Sequence, residues 1–235
     1  MIDQMFQGFP EETIRFFLDL RFHNEVPWFH AHREEYEAYV RKPFKELIEA
    51  LAPTALQIAD DIDTRPNKCL ARINRDIRYT RDKSPYRDHM WFLFRRSGEA
   101  RENSVVYWFE LSPEVVEWGL GFWSDNRPAM DALRRRMTEK PQEVRKVLRQ
   151  CGIPDDTLHI YGDRYARMKA PDGMPLDLAL LYPMKEIYVK RIGVPLAECY
   201  RPELVQRVSQ DFLRMKPLYH LLRRAADEGM AQLDA

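Results

Sequence analysis

Hydrophobic residues change their spacing twice along the chain, from a helical period to a strand period and back again. Near the N-terminus, Pro10 followed by Glu11 and Glu12 is typical of a helix start, because proline suits the first helical position and acids suit the positive end of the dipole. We expect this helix to run to about residue 22 and a second helix to begin near Pro27. The buried stripe of the second helix recurs at helical spacing and comprises Phe29, Tyr36, Val40, Phe44, Leu47 and Leu51.

Between residues 70 and 192 the spacing becomes typical of strands. Short aromatic or β-branched segments at 70–79, 89–96, 104–111, 115–123 and 186–192 alternate with turn residues. One strand face is expected to carry Val105, Tyr107, Phe109 and Leu111, and the next strand's face Val116, Trp118, Leu120 and Phe122. Ser112-Pro113 and a few neighbours separate these two segments, which predicts a hairpin with antiparallel pairing. Residues 155–185, rich in Asp, Gly and Pro, are predicted to form a long ordered loop with short helical turns.

Prolines mark the expected breaks in the helices. Pro43 should kink or split the second helix, and residues 127–150 should form helix that breaks before Pro141. A final amphipathic helix, bent at Pro217, buries Val205, Val208, Phe212, Met215, Tyr219 and Leu222. Helices at both ends and a mostly antiparallel sheet of about five strands predict an α+β fold, and we expect one domain over residues 1–235.

Composition narrows the classes of protein through charge. Hydrophobic residues make up 45% of the chain, which is enough for a packed core. The formal net charge is zero, whereas a protein that binds nucleic acids in general needs an excess of Lys and Arg. The charge is nevertheless uneven: residues 11–63 carry a net −6, and residues 65–101 carry a net +7. Either the basic segment faces an anionic ligand, or it neutralises the acidic segment within the molecule.

Cysteine usage and the N-terminal sequence bear on the compartment. The three cysteines are far apart and form no CxxC pair, so we expect neither a disulfide framework nor a zinc site. The N-terminal residues do not show the basic segment and following apolar segment of a signal peptide. The sequence also has no run of about 18 apolar residues, the length that a membrane-spanning helix requires. We therefore expect a cytoplasmic protein without a membrane partner; the oligomeric state is left open.

The segment RINRDIRYTRDKSPYR, residues 72–87, is the densest run of charged side chains. If residues 71–79 form a strand, Arg72, Asp76 and Arg78 share one face, and forked guanidiniums there would suit a phosphate or carboxylate. Pro85 and Asp82 favour a tight turn after the strand. The ligand-binding residues we predict are Arg72, Asp76, Arg78, Lys83 and Tyr86, with Asp76 orienting a guanidinium and Tyr86 capping the site. Two other interpretations stay open: a solvated strand and turn neutralised internally, and contact with single-stranded nucleic acid.

Arg75 is expected on the opposite face of that strand, among Ile73, Ile77 and Tyr79. A buried guanidinium needs a carboxylate, so we expect a pair with one of the acids of the helical region, among Glu34, Glu35, Glu37, Asp60, Asp61 and Asp63. We predict structural roles for Arg75, Asp82, Pro85 and Trp28.

Other constellations carry weaker signals. Gly119 and Gly121 leave a shallow trough beside Glu117 in the predicted strand, where a ligand or another backbone would fit. His32 and Glu35 could share a metal, but no third ligand is identifiable, so no metal site and no cofactor are predicted. Acid–base candidates for an enzyme are Asp82, Lys83, His32 and Glu117, although no spacing forces two of them together.

Taken together, these segments resemble the family catalogued as domain of unknown function 2461. The resemblance rests on NEVPWFHAHREEY, with Asn24, Trp28, Phe29, His32, Arg33 and Tyr36, and on RINRDIRYTRDKSPYR, with Arg72, Arg75, Asp76, Arg78, Asp82, Lys83, Pro85 and Tyr86. It continues through FELSP, MKAPDG and MKEIYVKR, so it covers nearly the whole chain. Met90 and Trp91 replace the small residues of the family pattern, and large side chains there would fill part of a shared pocket. The resemblance implies one domain and a place for a site, but no reaction type.

The function that these observations favour is binding of a small anionic ligand, such as a phosphate, nucleotide or carboxylate, at Arg72–Arg87. A non-catalytic interaction or scaffold module is the first alternative. An enzyme of unassigned reaction type is the second.

Overall fold

The computed structural model describes residues 6–79 and 81–233, and about half of these residues are helical. Its helices are α1 (Glu11–Phe22), α2 (Val26–Ala31), α3 (Arg33–Glu35), α4 (Lys42–Ile58), α5 (Pro66–Cys69), α6 (Arg127–Glu139), α7 (Pro141–Cys151), α8 (Leu176–Ala179), α9 (Leu204–Arg214) and α10 (Lys216–Leu233). A π-helical turn, Tyr36–Arg41, joins α3 to α4, and short 3-10 turns span Arg101–Asn103 and Leu196–Tyr200. None of the described helices has the length and hydropathy that crossing a membrane requires.

One five-stranded sheet confirms the predicted α+β class. Its strands are β1 (Met90–Phe94), β2 (Val105–Leu111), β3 (Val116–Phe122), β4 (Leu158–Tyr161) and β5 (Tyr188–Arg191), in the order β1-β2-β3-β5-β4. Strand β5 pairs antiparallel with both of its neighbours; Leu120 and Ile160 lie opposite Val189. All eight residues assigned to the inner faces of β2 and β3 are buried, but Val106, Gly119 and Gly121 on the opposite faces are buried as well, so both faces of this part of the sheet are covered.

Contacts divide the chain into two compact units. The first comprises residues 6–94, Trp108–Trp118 and Val194–Gln210, and the second comprises Arg95–Tyr107, Gly119–Gly193 and residues 211–233. The expectation of one domain over residues 1–235 stays a prediction.

Aromatic rings form the core of the first unit. Phe109 stacks with Phe9 at a centroid distance of 6.0 Å and with Phe92 at 5.5 Å, and Phe44 meets Phe9 edge-on at 4.9 Å. Trp118 stacks on Phe109 from the neighbouring strand at 6.3 Å and is fully buried. Offset and edge-on rings of this kind add a favourable quadrupole interaction to the burial of apolar area.

In the second unit, Tyr107 lies at the centre of the core. Its ring packs against Phe212 and Tyr219 at centroid distances of 4.7 and 5.5 Å. Its hydroxyl donates a hydrogen bond to the Phe212 carbonyl at 3.1 Å, so the one polar atom of a buried ring is satisfied. Helix α10 also approaches α6 closely, because Gly229 has no side chain to separate them.

The helix breaks occur at the predicted prolines. Pro43 stands in the first turn of α4, directly after the π turn, and Pro141 begins α7. The final helical region is divided into α9 and α10 around Met215, so the break falls just before Pro217. Proline has no N–H to donate to a carbonyl of the preceding turn, so one helical segment ends before it and the next begins with it in the first turn.

One strand prediction is wrong, and one loop prediction is wrong in part. Residues 70–79 form no strand; they make only the isolated antiparallel bridges Leu70–Phe92 and Asn74–Tyr86. Residues 155–185, predicted as a long ordered loop with short helical turns, contain the short helix α8 but also strand β4. The trough expected at Gly119 and Gly121 is occupied by another backbone: a Cβ on Gly121 would lie 2.3 Å from the Cα of Tyr188, its partner in β5.

The absence of a side chain at Gly229 yields a prediction on stability. A Cβ there would lie 2.4 Å from the Pro128 carbonyl carbon, and backbone cannot move aside as a flexible side chain can. We expect Gly229→Ala to lower the free energy of unfolding by about 1–3 kcal/mol, despite the better helix propensity of alanine. Urea unfolding measures this, with the exposed Gln232→Ala of the same helix as control, expected within about 0.5 kcal/mol of wild type. A more stable Gly229→Ala variant would contradict the close approach.

Candidate functional site

A cleft of about 530 Å³ opens in the first unit and is the candidate site. It is lined by Phe29, His30, Arg33, Tyr36, Glu37, Arg41, Asn67, Leu70, Ala71, Arg72, Ile73, Asn74 and Tyr86. Six of these residues come from α2, α3 and the π turn, and we call them the helical wall. Six come from residues 67–74, the loop wall, and Tyr86 completes the lining.

The helical wall depends on a departure from α geometry. In the π turn, the N–H of Lys42 donates to the carbonyl of Glu37, five residues back rather than four. The carbonyl of Tyr39 would normally receive the N–H of residue 43, but Pro43 has none. The buried Thr13 hydroxyl, in α1, donates to the Tyr39 carbonyl at 2.5 Å instead. The π turn thereby brings Tyr36, Glu37 and Arg41 to the cleft without leaving that carbonyl unsatisfied.

Main-chain hydrogen bonds hold the loop wall in an extended path. The N–H of Ala71 donates to the Trp91 carbonyl at 3.0 Å, and the N–H of Arg87 donates to the Ile73 carbonyl at 2.9 Å. The Arg87 guanidinium also donates through Nη1 to the Arg72 carbonyl at 3.0 Å and to the Asn74 carbonyl. Arg87 therefore fixes the main chain on both sides of Ile73.

Asn24 joins Tyr86 to the helical region. Its Nδ2 donates to the Tyr86 carbonyl and its Oδ1 accepts from the Tyr86 N–H, both at 3.0 Å. The Tyr86 ring stacks on Phe29 of the helical wall with centroids 4.1 Å apart. Tyr86 is consequently fixed at its backbone and at its ring.

Positive charge dominates the cleft, and part of it is not neutralised. Within the described part of the chain, the guanidiniums of Arg33 and Arg72 make no hydrogen bond or ion pair. Arg41 is paired: its Nη1 donates to both carboxylate oxygens of Glu37, at 2.8 and 3.1 Å. The hydrogen bond to Glu37 raises the pKa of Arg41. The cleft thus presents two unpaired cations and one ion pair.

Two tyrosine hydroxyls add neutral donors. Burial raises the pKa of Tyr36 to about 12, so this hydroxyl keeps its proton at neutral pH. In residues 6–79 and 81–233 neither the Tyr36 nor the Tyr86 hydroxyl has a hydrogen-bond partner. Both are available to donate to a ligand's oxygen atoms.

Arg75 has a carboxylate partner, but not the one expected. Its Nη1 donates to Oδ2 of Asp82, with 27% of the Arg75 side chain and 51% of the Asp82 side chain exposed. Asp82 also accepts from the Ser84 N–H at 2.9 Å and the Ser84 hydroxyl at 2.6 Å. The predicted pair with an acid of the helical region is therefore wrong, because the guanidinium is neutralised inside its own loop.

The other predicted ligand residues are placed differently from one another. Arg72 and Tyr86 line the cleft. Arg78 donates to both oxygens of Asp76, at 3.0 and 2.7 Å, and these hydrogen bonds lower the pKa of Asp76 to about 2. Lys83 donates to the Ile77 carbonyl at 2.7 Å. Asp76, Arg78 and Lys83 are exposed and lie away from the cleft lining that the described residues form; the expected turn also includes Thr80, which lies outside those residues.

The remaining candidates do not converge. His32 stacks on Trp28 at 4.0 Å and its Nδ1 lies 2.8 Å from the Trp28 carbonyl, so both serve the packing of α2. Asp82 and Lys83 have partners in their own loop, and Glu117 stands half-buried on β3. In the part of the chain that the structure describes, no group of three or more His, Cys, Asp or Glu side chains is placed to hold a metal ion. Cys69, Cys151 and Cys199 are buried, and none of them is joined in a disulfide among the described residues.

The residues that departed from the family pattern leave the cleft open. Met90 is fully buried in β1, and Trp91 receives the Arg87 guanidinium over its ring at 4.8 Å. Neither residue is part of the cleft lining found among the described residues.

Sequence reasoning missed Arg33, Glu37 and Arg41 as site residues. Each lies four residues after the one before it, a spacing that places all three on one side of a helix. Tyr36 was assigned only to the buried stripe of that helix. The four-residue spacing indicates that the three charged side chains share one side of the helix, but it does not indicate which part of the protein that side faces.

Comparison with known proteins agrees with the resemblance of the motifs. A family model with the description "Conserved hypothetical protein (DUF2461)" matches residues 12–221, which include every residue of the cleft. No curated protein matches the chain.

The two hydrogen bonds of Asn24 lead to a prediction. Asn24→Ala leaves the N–H and carbonyl of buried Tyr86 without these partners, so we expect a loss of about 1–3 kcal/mol in the free energy of unfolding. Urea unfolding of this variant is compared with Asn67→Ala, which removes an exposed asparagine of the cleft and should change stability by about 0.5 kcal/mol or less. Equal urea midpoints for the two variants would show that the Asn24 pair is unimportant for stability.

Arg75 gives a second prediction. Its partner Asp82 is exposed, so we expect Arg75→Ala to unfold at nearly the urea midpoint of wild type. A loss of about 3–5 kcal/mol, typical of a buried acid left without its partner, would instead mean that Arg75 neutralises a carboxylate in the core.

Proposed function

Because the chain belongs to the family described as conserved hypothetical protein (DUF2461), and that description names no activity, we propose a function from the cleft: it binds a small anionic ligand. Arg33 and Arg72 contact the ligand's anionic group, and the hydroxyls of Tyr36 and Tyr86 donate hydrogen bonds to it. This shifts the site from the exposed turn of Arg78 and Lys83 to the side of Arg72 and Tyr86.

The observation that carries the proposal is the pair of unneutralised guanidiniums. Three other arginines of these segments have partners: Arg75 has Asp82, Arg78 has Asp76, and Arg41 has Glu37. Arg33 and Arg72 line the same cleft, and neither has an ion pair within the described residues. Like charges facing one cleft repel each other, and a bound anion relieves that repulsion.

The size and surface of the cleft agree with a small ligand. Its volume of about 530 Å³ falls in the range of roughly 300–1,000 Å³ that is usual for ligand pockets. Apolar surface from Phe29, Leu70 and Ile73 lies beside the polar donors. This mixture is typical of sites that hold an organic molecule by its body and orient it by a charged group.

An internal scaffold role explains part of the charged segment but not this cleft. The ion pairs of Asp76 and Asp82 account for two arginines without any ligand. Arg33 and Arg72 form no ion pair among the described residues, so stabilisation of the fold by ion pairs does not explain why both line one cleft.

Thermal-shift measurements with adenosine 5′-monophosphate, phenyl phosphate and benzoate test the proposal. A ligand at a hundred times its Kd stabilises the folded state by about 2.7 kcal/mol, which raises the Tm of a chain of this size by roughly 5–10 °C. We expect at least one probe to produce such a rise. Arg72→Gln should abolish most of it while leaving the Tm without ligand near that of wild type, because Arg72 is exposed.

The matched control is Arg15→Gln, which removes an exposed arginine of α1 from outside the cleft lining. It should retain the full response of wild type. A flat response to all three probes, or an equal loss in both variants, would overturn the proposal.

A further inference from the structure

We infer that the ligand of this cleft is a phosphomonoester bound as a dianion, and that Glu37 determines how strongly the cleft prefers two negative charges to one. The inference rests on the proposed function and goes further, because it names the class of ligand and the residue that sets selectivity.

The formal charge of the lining points to a dianion. Three guanidiniums, of Arg33, Arg41 and Arg72, face one carboxylate, of Glu37, so these residues carry a net +2. A phosphomonoester carries about −1.5 to −2 at neutral pH. A carboxylate or a sulfate ester carries −1 and would leave one positive charge of the cleft uncompensated.

The donors of the cleft also outnumber the acceptors of a carboxylate. The unpaired guanidiniums of Arg33 and Arg72 each offer a fork of N–H groups, and the hydroxyls of Tyr36 and Tyr86 add one donor each. A carboxylate has two oxygen atoms, whereas a phosphomonoester has three terminal oxygens that accept strong hydrogen bonds. Forked donors match phosphate geometry especially well.

Glu37 enters through its pair with Arg41. The Nη1 atom of Arg41 lies 2.8 and 3.1 Å from the two Glu37 oxygens, so Glu37 holds this guanidinium in the absence of a ligand. Both side chains are part of the cleft lining. A bound anion is repelled by Glu37 in proportion to its own charge, as Coulomb's law requires. Glu37 therefore weakens the binding of a dianion more than that of a monoanion.

Three probes with the same phenyl ring separate charge from shape. Phenyl phosphate is a dianion at about pH 8, since its second pKa is near 6, while phenyl sulfate is a tetrahedral monoanion and benzoate a planar one. In calorimetric titrations of wild type, we expect phenyl phosphate to bind about tenfold or more tightly than either monoanion, a difference of about 1.4 kcal/mol. Equal affinities, or a preference for a monoanion, would overturn the inference.

Two variants move the charge of the cleft in opposite directions. Glu37→Gln raises it, so the ratio of phenyl phosphate to phenyl sulfate affinity should increase; Arg72→Gln lowers it, so the ratio should decrease. Glu49→Gln, an exposed position on α4 outside the cleft lining, is the control and should leave the ratio unchanged. A ratio that stays constant in both cleft variants would show that Glu37 does not set the selectivity.

The outcomes also distinguish this inference from the proposed function. If neither these three anions nor adenosine 5′-monophosphate binds wild type, the proposed function fails and the inference fails with it. If benzoate or phenyl sulfate binds as tightly as phenyl phosphate, and Arg72→Gln weakens that binding, anion binding stands and the phosphomonoester inference alone is wrong.

Discussion

The cleft exists because two separate stretches of chain are held against each other by the paired hydrogen bonds between Asn24 and Tyr86. A side-chain amide here does what a neighbouring strand would do, since it accepts from one backbone N–H and donates to the carbonyl of the same residue. The joint is reinforced by the stacking of Phe29 on Tyr86. It adds to the packing of α5 on α4 in placing the loop wall beside the helical wall, so that arginines of both walls line one cleft.

Local neutralisation decides which charges the site retains. The basic segment carries acids of its own, and Asp76 and Asp82 pair with arginines two and seven residues away in sequence. Arg21 is likewise held by Asp88 and Glu114, and the hydrogen bonds that it donates to both carboxylates raise its pKa. The acidic helices are therefore not the general partner of the basic segment. Arg33 and Arg72 line the cleft without such a pair among the described residues.

Strong periodicity made the helices and four of the strands predictable, and weak or misleading periodicity explains the rest. Ile73, Arg75, Ile77 and Tyr79 alternate as in a strand, yet Tyr79 is 92% exposed. The carboxylates of Asp76 and Asp82 accept the backbone N–H groups of Arg78 and Ser84, two residues on, and such local bonds compete with a sheet ladder. Strand β4 was missed because its four residues stand among Asp, Gly and Pro, whose turn signals outweigh so short a pattern. At the site, Arg72 and Tyr86 could be predicted because they belong to the charged segment at residues 72–87. Arg33 and Arg41 could not, because the sequence does not show which part of the protein their helix faces.

The π turn at Tyr36–Arg41 has a consequence for how the gene can vary. A helix with five-residue hydrogen-bond spacing accommodates a residue that α geometry would place elsewhere, so the turn behaves as a one-residue insertion absorbed in place. Because the extra residue is absorbed, everything after the turn keeps the face that regular α winding would give it. Deleting one codon within the turn would therefore restore α geometry and leave the buried stripe of α4 in the core, whereas the same deletion later in α4 would rotate everything that follows by about 100°. A change in residue number is thus tolerated at this turn and not along the rest of the helix.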